Sequence, residues 1–321
     1  MNFSPSIYEH CAQLLGRRPW EVARDGGLLF EAQALAYRRY QHTPVVVGVD
    51  IYNLEAEAYG ARIDEPEGNG IPAIVEHPLH SFDAILQLAP FTADAERIPL
   101  VLDAARRLVQ AFPSADVRVP VAGPFSVAIN LMGFDALLVG CVLEPDAVRA
   151  ALMHLAVGQL SFCEMISKAG LDIAFFESAA TPPLLSPELF ETIELPALQA
   201  VISGAESIVG HPVPCVMGGD TTPILQAILS TGTGYVICPA KGETDQGAFL
   251  KHMESHPDVM VRVNMAPEIT ARGHWPDIQE EIERIHALVG NRENVCLGTG
   301  ALPFETRPET IDRIRDFAAT L

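Results

Sequence analysis

Positive charge is scarce in this sequence. Its 321 residues include 41 Asp and Glu but only 21 Lys and Arg, a formal net charge of −20. Such a chain repels phosphate backbones and anionic lipid, which argues against nucleic acid or membrane surfaces as partners; the plainer consequence is solubility. No secretory leader is expected either. The opening MNFSPSIYEHCAQLL has no basic region, and Glu9, His10 and Gln13 interrupt its apolar residues. The most apolar later run, around Phe134–Leu143, falls far short of the roughly 20 residues that cross a bilayer. Cysteines are few and scattered: Cys11, Cys141, Cys163, Cys215, Cys238 and Cys296 form no CxxC pair. Reduced thiols in a cytoplasmic protein are therefore expected. Nor is there a Walker A loop, a GxSxG elbow, an HExxH helix or a dinucleotide fingerprint.

What is present is apolar. Hydrophobic residues make up 49% and charged residues 19%, enough for one large barrel or two ordinary domains. Pro44–Ile51 is a near-continuous run of valines, as a strand buried on both faces requires. Further strand candidates are Val117–Ala122, Ile173–Glu177, Pro212–Gly218, Tyr235–Pro239, Val259–Asn264 and Val295–Gly298, with Ala73–His77 the least strand-like of the eight. Between them lie helical patterns at Ala93–Ala111, Pro276–Val289 and Pro308–Leu321, and shorter ones at Thr222–Leu229 and Asp245–Met253. Ser186 and Pro187 suit the N-cap and first turn of another helix. Strands alternating with helices predict a parallel sheet, and about eight such units predict a closed (β/α)8 barrel in one α/β domain. Residues 1–43 are expected as a helical cap, with Ser6 and Glu9 in a capping box before Cys11–Leu15 and a second helix at Leu28–Tyr40. Residues 44–321 are expected to form the barrel, with 52–72 a loop near its mouth.

In such a barrel the loops after the strands build the active site. Polar residues there are Asp50, Tyr52 and Asn53, then Glu76 and His77, Glu177, Asp220, Cys238 with Lys241, Asn264 and Thr299. Each is either a cap or cross-barrel ion pair, or a functional group. Glu177 follows Ile173-Ala174-Phe175-Phe176, so apolar surroundings should raise its pKa and fit it as a general acid. Asp220 follows Gly218-Gly219, either a tight turn or a place where a ligand approaches the backbone. Cys238 is either core or a ligand or nucleophile. His77 and His80 have a loose resemblance to metal spacing, with a proline between them.

Several segments together are similar to a known family. Glu55-Ala56-Glu57-Ala58-Tyr59-Gly60, Gly123-Pro124-Phe125-Ser126-Val127-Ala128, Ser186-Pro187-Glu188-Leu189-Phe190 with Leu195-Pro196, and Leu297-Gly298-Thr299-Gly300 with Pro303 and Thr306-Arg307-Pro308-Glu309 resemble, in order, motifs of the uroporphyrinogen decarboxylase-like family. That family includes the decarboxylase and corrinoid-linked methyltransferases, on a (β/α)8 barrel. The decarboxylase's RQAGR-like segment has no counterpart here; Arg17-Arg18 stands in another context. The thiol-activating methyltransferases bind zinc through an HxCG motif and the Cys of GTGC, where this chain has Val216, Gly218 and Ala301. Cys238 lies near a fourth ligand of the related cobalamin-independent methionine synthases.

The resemblance therefore implies a methyltransferase of another kind. It would move a methyl group between a small methylated substrate, such as a methoxylated aromatic, and the cobalt of a separate corrinoid protein. No tightly bound cofactor is expected, and zinc is left open. Glu177 and Asp220 would supply the acid, or with Cys238 a non-standard metal site. Asp50, Tyr52, Asn53, His77 and Asn264 would line the pocket. The alternatives are a decarboxylase-type carboxy-lyase and a non-catalytic member that binds a small molecule or a corrinoid protein.

Overall fold

The computed structural model describes all of residues 1–321. Eight parallel strands ring the core: β1 Phe3–Ser6, β2 Val45–Val46, β3 Val117–Ala122, β4 Asp172–Phe176, β5 Cys215–Val216, β6 Tyr235–Cys238, β7 Met260–Asn264 and β8 Val295–Ala301. Hydrogen bonds order them as β2-β3-β4-β5 and β6-β7-β8-β1. A parallel bridge between Pro214 and Tyr235 joins β5 to β6. At the other seam Ser4 Oγ donates to the Thr43 carbonyl at 2.6 Å and draws β1 to β2. The result is the expected (β/α)8 barrel, with a core of 81 buried residues that packs strands against helices and a separate small cluster of Ile51, Ala174 and Phe176 on the opposite strand faces.

Seven of the eight expected strands take their places, and the eighth is elsewhere. Ala73–Glu76 pairs antiparallel with Arg62–Asp64, as a hairpin beside the barrel mouth. The missing barrel strand is Phe3–Ser6, inside the segment expected as a helical cap. It pairs with β8, Phe3 opposite Leu297 and Ser4 opposite Gly298, and the Ser6 amide donates to Thr299 Oγ1. This pairing takes Ser6 out of the expected capping box, and helix His10–Leu14 begins at Glu9 with no side-chain cap. The rest of the cap is helical. Asp25 caps Gly26–Tyr40 by accepting from the Leu28 amide, and Ser186 caps its own helix through the Leu189 amide.

The 24-residue helix Pro145–Lys168 is long and apolar enough to cross a membrane, but half of its most apolar window is buried within the molecule. There it packs on helix Leu195–Val209.

Candidate active site

The strand ends and the hairpin surround a cavity of about 620 Å3. Successive side chains of a strand point to opposite faces, so alternate residues reach it. Phe176 and Ser178 line the cavity while Glu177 between them does not; Ile237 and Pro239 line it and Cys238 does not; Arg262 and Asn264 line it around the fully buried Val263.

All five residues expected in the pocket lie on its wall. Asp50 is buried and paired bidentately with Arg97, at 2.6 and 2.8 Å, and the Asn53 amide donates to it at 3.2 Å. Arg97 also holds Glu57, which Arg24 grips from the other side, so the charge of Asp50 is already matched. The Tyr52 hydroxyl shares a 2.6 Å hydrogen bond with Ser178 Oγ, which in turn accepts from the Gly218 amide. Burial pushes the Tyr52 phenol well above its ordinary range. His77 Nδ1 lies 2.9 Å from the Asn130 carbonyl. A carbonyl only accepts, so Nδ1 carries a proton in this contact. Asn264 Oδ1 has no hydrogen-bond partner.

The three residues expected to do chemistry lie off the cavity wall. The Glu177 carboxyl caps helix Pro124–Met132, accepting from the amides of Phe125 and Ser126 at 3.0 and 3.2 Å and from Ser126 Oγ at 2.5 Å. Burial does raise its pKa, to about 7, against these hydrogen bonds. The expected shift is there; the expected direction of the side chain is not. Asp220 turns away to accept from Thr244 Oγ1 at 2.8 Å and from the Thr222 amide. Cys238 is fully buried, and desolvation pushes its thiol well above the ordinary range. A thiol in such surroundings is a core residue rather than a nucleophile.

A model of the uroporphyrinogen decarboxylase (URO-D) family matches residues 5–321. The chain belongs to the URO-D family. Over 169 residues it is 24% identical to the methylcobamide:CoM methyltransferase MtbA of Methanosarcina mazei, an alignment covering 52% of this chain and 50% of the relative. Over 158 residues it is 28% identical to the methylcobamide:CoM methyltransferase MtaA of Methanosarcina barkeri, covering 47% and 45%. The chain thus spans about half the length of the curated relatives it matches. A solved methyltransferase from Methanosarcina mazei superposes with a TM-score of 0.83 over 99% of this chain and 94% of that one, at 19% identity, and so shares the fold.

The URO-D motifs have clear physical roles in this chain. Gly123 must lack a side chain, because a Cβ there would lie 2.6 Å from Glu177 Cδ. Glu55 is fully buried, its Oε1 accepts from the Ala122 amide at 2.6 Å, and burial raises its pKa to about 8. Thr299 ties β8 to β1 through the Ser6 amide. The positions of the family's zinc ligands converge as well: Val216, Gly218 and Ala301 all line the cavity. None supplies a donor atom, and no three His, Cys, Asp or Glu side chains anywhere in the chain gather as a metal site. The residues present do not fit a thiol-activating zinc.

Carboxyl and guanidinium groups outside the expected set also line the cavity: Glu9, Glu243 and Arg262. Glu9 is 6% exposed, lines the cavity, and has its carboxyl pushed up to about 7 by burial. It has the property sought in Glu177, on the surface where it can be used. Arg262 is also 6% exposed and on the cavity wall. Its signal in the sequence is an arginine in the middle of the apolar strand Met260-Val261-Arg262-Val263-Asn264, and not at a strand end.

Proposed function

We propose that this chain is a cytoplasmic methyltransferase that moves a methyl group from a small methylated substrate, of the methoxylated aromatic class, to the corrinoid of a separate protein. The observation that carries this reading is Glu9, a protonatable carboxyl on the wall of a cavity whose zinc positions are empty of donors. Without a ligand set there is no support for thiol activation, and demethylation of an ether does not need it. The partner's reduced corrinoid would supply the nucleophile. When the methyl–oxygen bond breaks, its electron pair stays on the substrate oxygen, and the Glu9 proton neutralises it.

The aromatic wall suits a flat substrate. Tyr8 and Tyr52 both stand edge-on to Phe176, each with ring centroids 6.1 Å from it. Decarboxylation of a polycarboxylated tetrapyrrole fits less well, because Arg262 is the single Lys or Arg on the cavity wall. The names of the distant relatives, which act on methylcobamide, support the corrinoid as partner group.

The test is direct. Purified chain, a panel of methoxylated aromatics and a Co(I) corrinoid protein should give the methyl-cobalt absorption spectrum. A panel that never produces it ends this reading. If substrates bind but none is demethylated, the chain is a binding member of the family.

A further inference from the structure

Arg262 is explained neither by the fold nor by methyl transfer. Its guanidinium is buried, yet the groups beside it are the phenols of Tyr8 and Tyr235 and the thiol of Cys296, with no carboxylate among them. Nε has no hydrogen-bond partner. The other arginine on this side of the barrel that is as deeply buried, Arg97, is gripped by Asp50 and Glu57. An unpaired buried cation is costly, and in a chain with a 20-charge excess of acids a counter-ion is the easiest thing to provide. The cavity withholds one at this place.

We propose that Arg262 is an anion subsite and that the substrate carries a carboxylate, which the guanidinium fork receives on the cavity floor while the methyl group faces the mouth. A planar monoanion matches a single fork. A dianion such as phosphate matches poorly, since Arg262 is the single Lys or Arg on the wall and balances only one of its charges. The aromatic wall formed by Phe176, Tyr8 and Tyr52 would hold the ring between the two ends. The word substrate rests on the methyltransferase reading; the binding does not, and it is measured without any corrinoid protein.

Calorimetric titration of the full chain with a panel of methoxybenzoates, the matching methoxybenzamides and inorganic phosphate tests the subsite. The native chain should bind at least one carboxylate about a hundredfold more tightly than its amide. Arg262→Gln should erase that preference, and Arg262→Lys should keep part of it. With no ligand present, Arg262→Gln should melt at a higher temperature than the native chain, because it removes an uncompensated buried charge; this also reports that the variant folds. The proposal is overturned if amides bind as tightly as carboxylates, if Arg262→Gln keeps the preference, if phosphate binds as well as the carboxylates, or if no carboxylate binds. Tight carboxylate binding through Arg262 with no methyl transfer would retire the methyltransferase reading and leave the subsite standing.

Discussion

Gly298 of β8 lies directly against the stem of Arg262 on β7: a Cβ at position 298 would sit 2.6 Å from the arginine Cγ and 2.7 Å from its Cδ. The glycine of the closing LGTG motif is thus the space that lets a long cation lie across the barrel interior. Gly298→Ala should overpack this layer and cost about 1–3 kcal/mol in denaturant unfolding. The double variant Gly298→Ala with Arg262→Ala should recover part of that loss, because the two residues share one volume; the rest stays, since the new Cβ would still collide with Asn264 Oδ1. A strictly additive cycle would show that they do not.

Glu9 should leave its mark on the pH profile. Its pKa of about 7 lies above the ordinary 4.5, so the folded chain keeps this proton longer than the unfolded one. The stabilisation is full below about 4.5 and is lost as pH rises through about 7, and Glu9→Gln should lose less stability than the native chain across that interval. Demethylation should weaken over the upper part of the same range, because the proton donor is gone. Glu9→Gln should lower the rate by about 10²–10⁴-fold and flatten the pH limb. A Glu9→Gln enzyme with native rates would remove Glu9 from the chemistry.

Glu194 is fully buried with neither carboxyl oxygen hydrogen-bonded to a donor, and its pKa is raised well above the ordinary value by burial and by the adjacent Glu177. Two buried carboxyls this close resist the loss of their second proton. Glu194→Gln places an amide donor beside Glu177 and removes the like charge. It should stabilise the protein by roughly 1–3 kcal/mol at pH 8. At pH 5, with more of the native pair's protons in place, the gain should shrink. Urea unfolding at the two pH values checks the difference.

The barrel was legible in the sequence because strands buried on both faces must be apolar runs, and seven of the eight are. Phe3–Ser6 was not, since four residues containing two serines and a proline carry no such pattern; its pairing with β8 is a contact across almost the whole chain. Ala73–Glu76 has real strand character, but a strand's own residues do not say whether its partner is the barrel or a neighbouring hairpin. The lining of the cavity is legible only in part. Loop residues such as Tyr52, Asn53 and His77 reach the cavity, whereas a strand-end position does not by itself fix which face Glu177 and Cys238 take. A shift of one residue reverses that face. Phe176 and Ser178, or Ile237 and Pro239, are the residues that reach the cavity.

The emptied zinc positions allow a constructive test. Val216, Gly218 and Ala301 come from the ends of two different strands, yet they share one cavity. Gly218 accepts a Cβ without strain, its nearest neighbour being Ser178 Oγ at 3.4 Å. If only the donor atoms have been lost, then Val216→His with Gly218→Cys and Ala301→Cys should bind one zinc per chain by metal analysis, while the native chain takes up none above background. Three protein ligands leave a fourth position open to solvent or a thiol. The variant should then also lower the apparent pKa of an added thiol, read as thiolate absorbance that vanishes with a chelator. A folded triple variant that takes up no zinc would show that the surrounding wall has moved, and not merely its side chains.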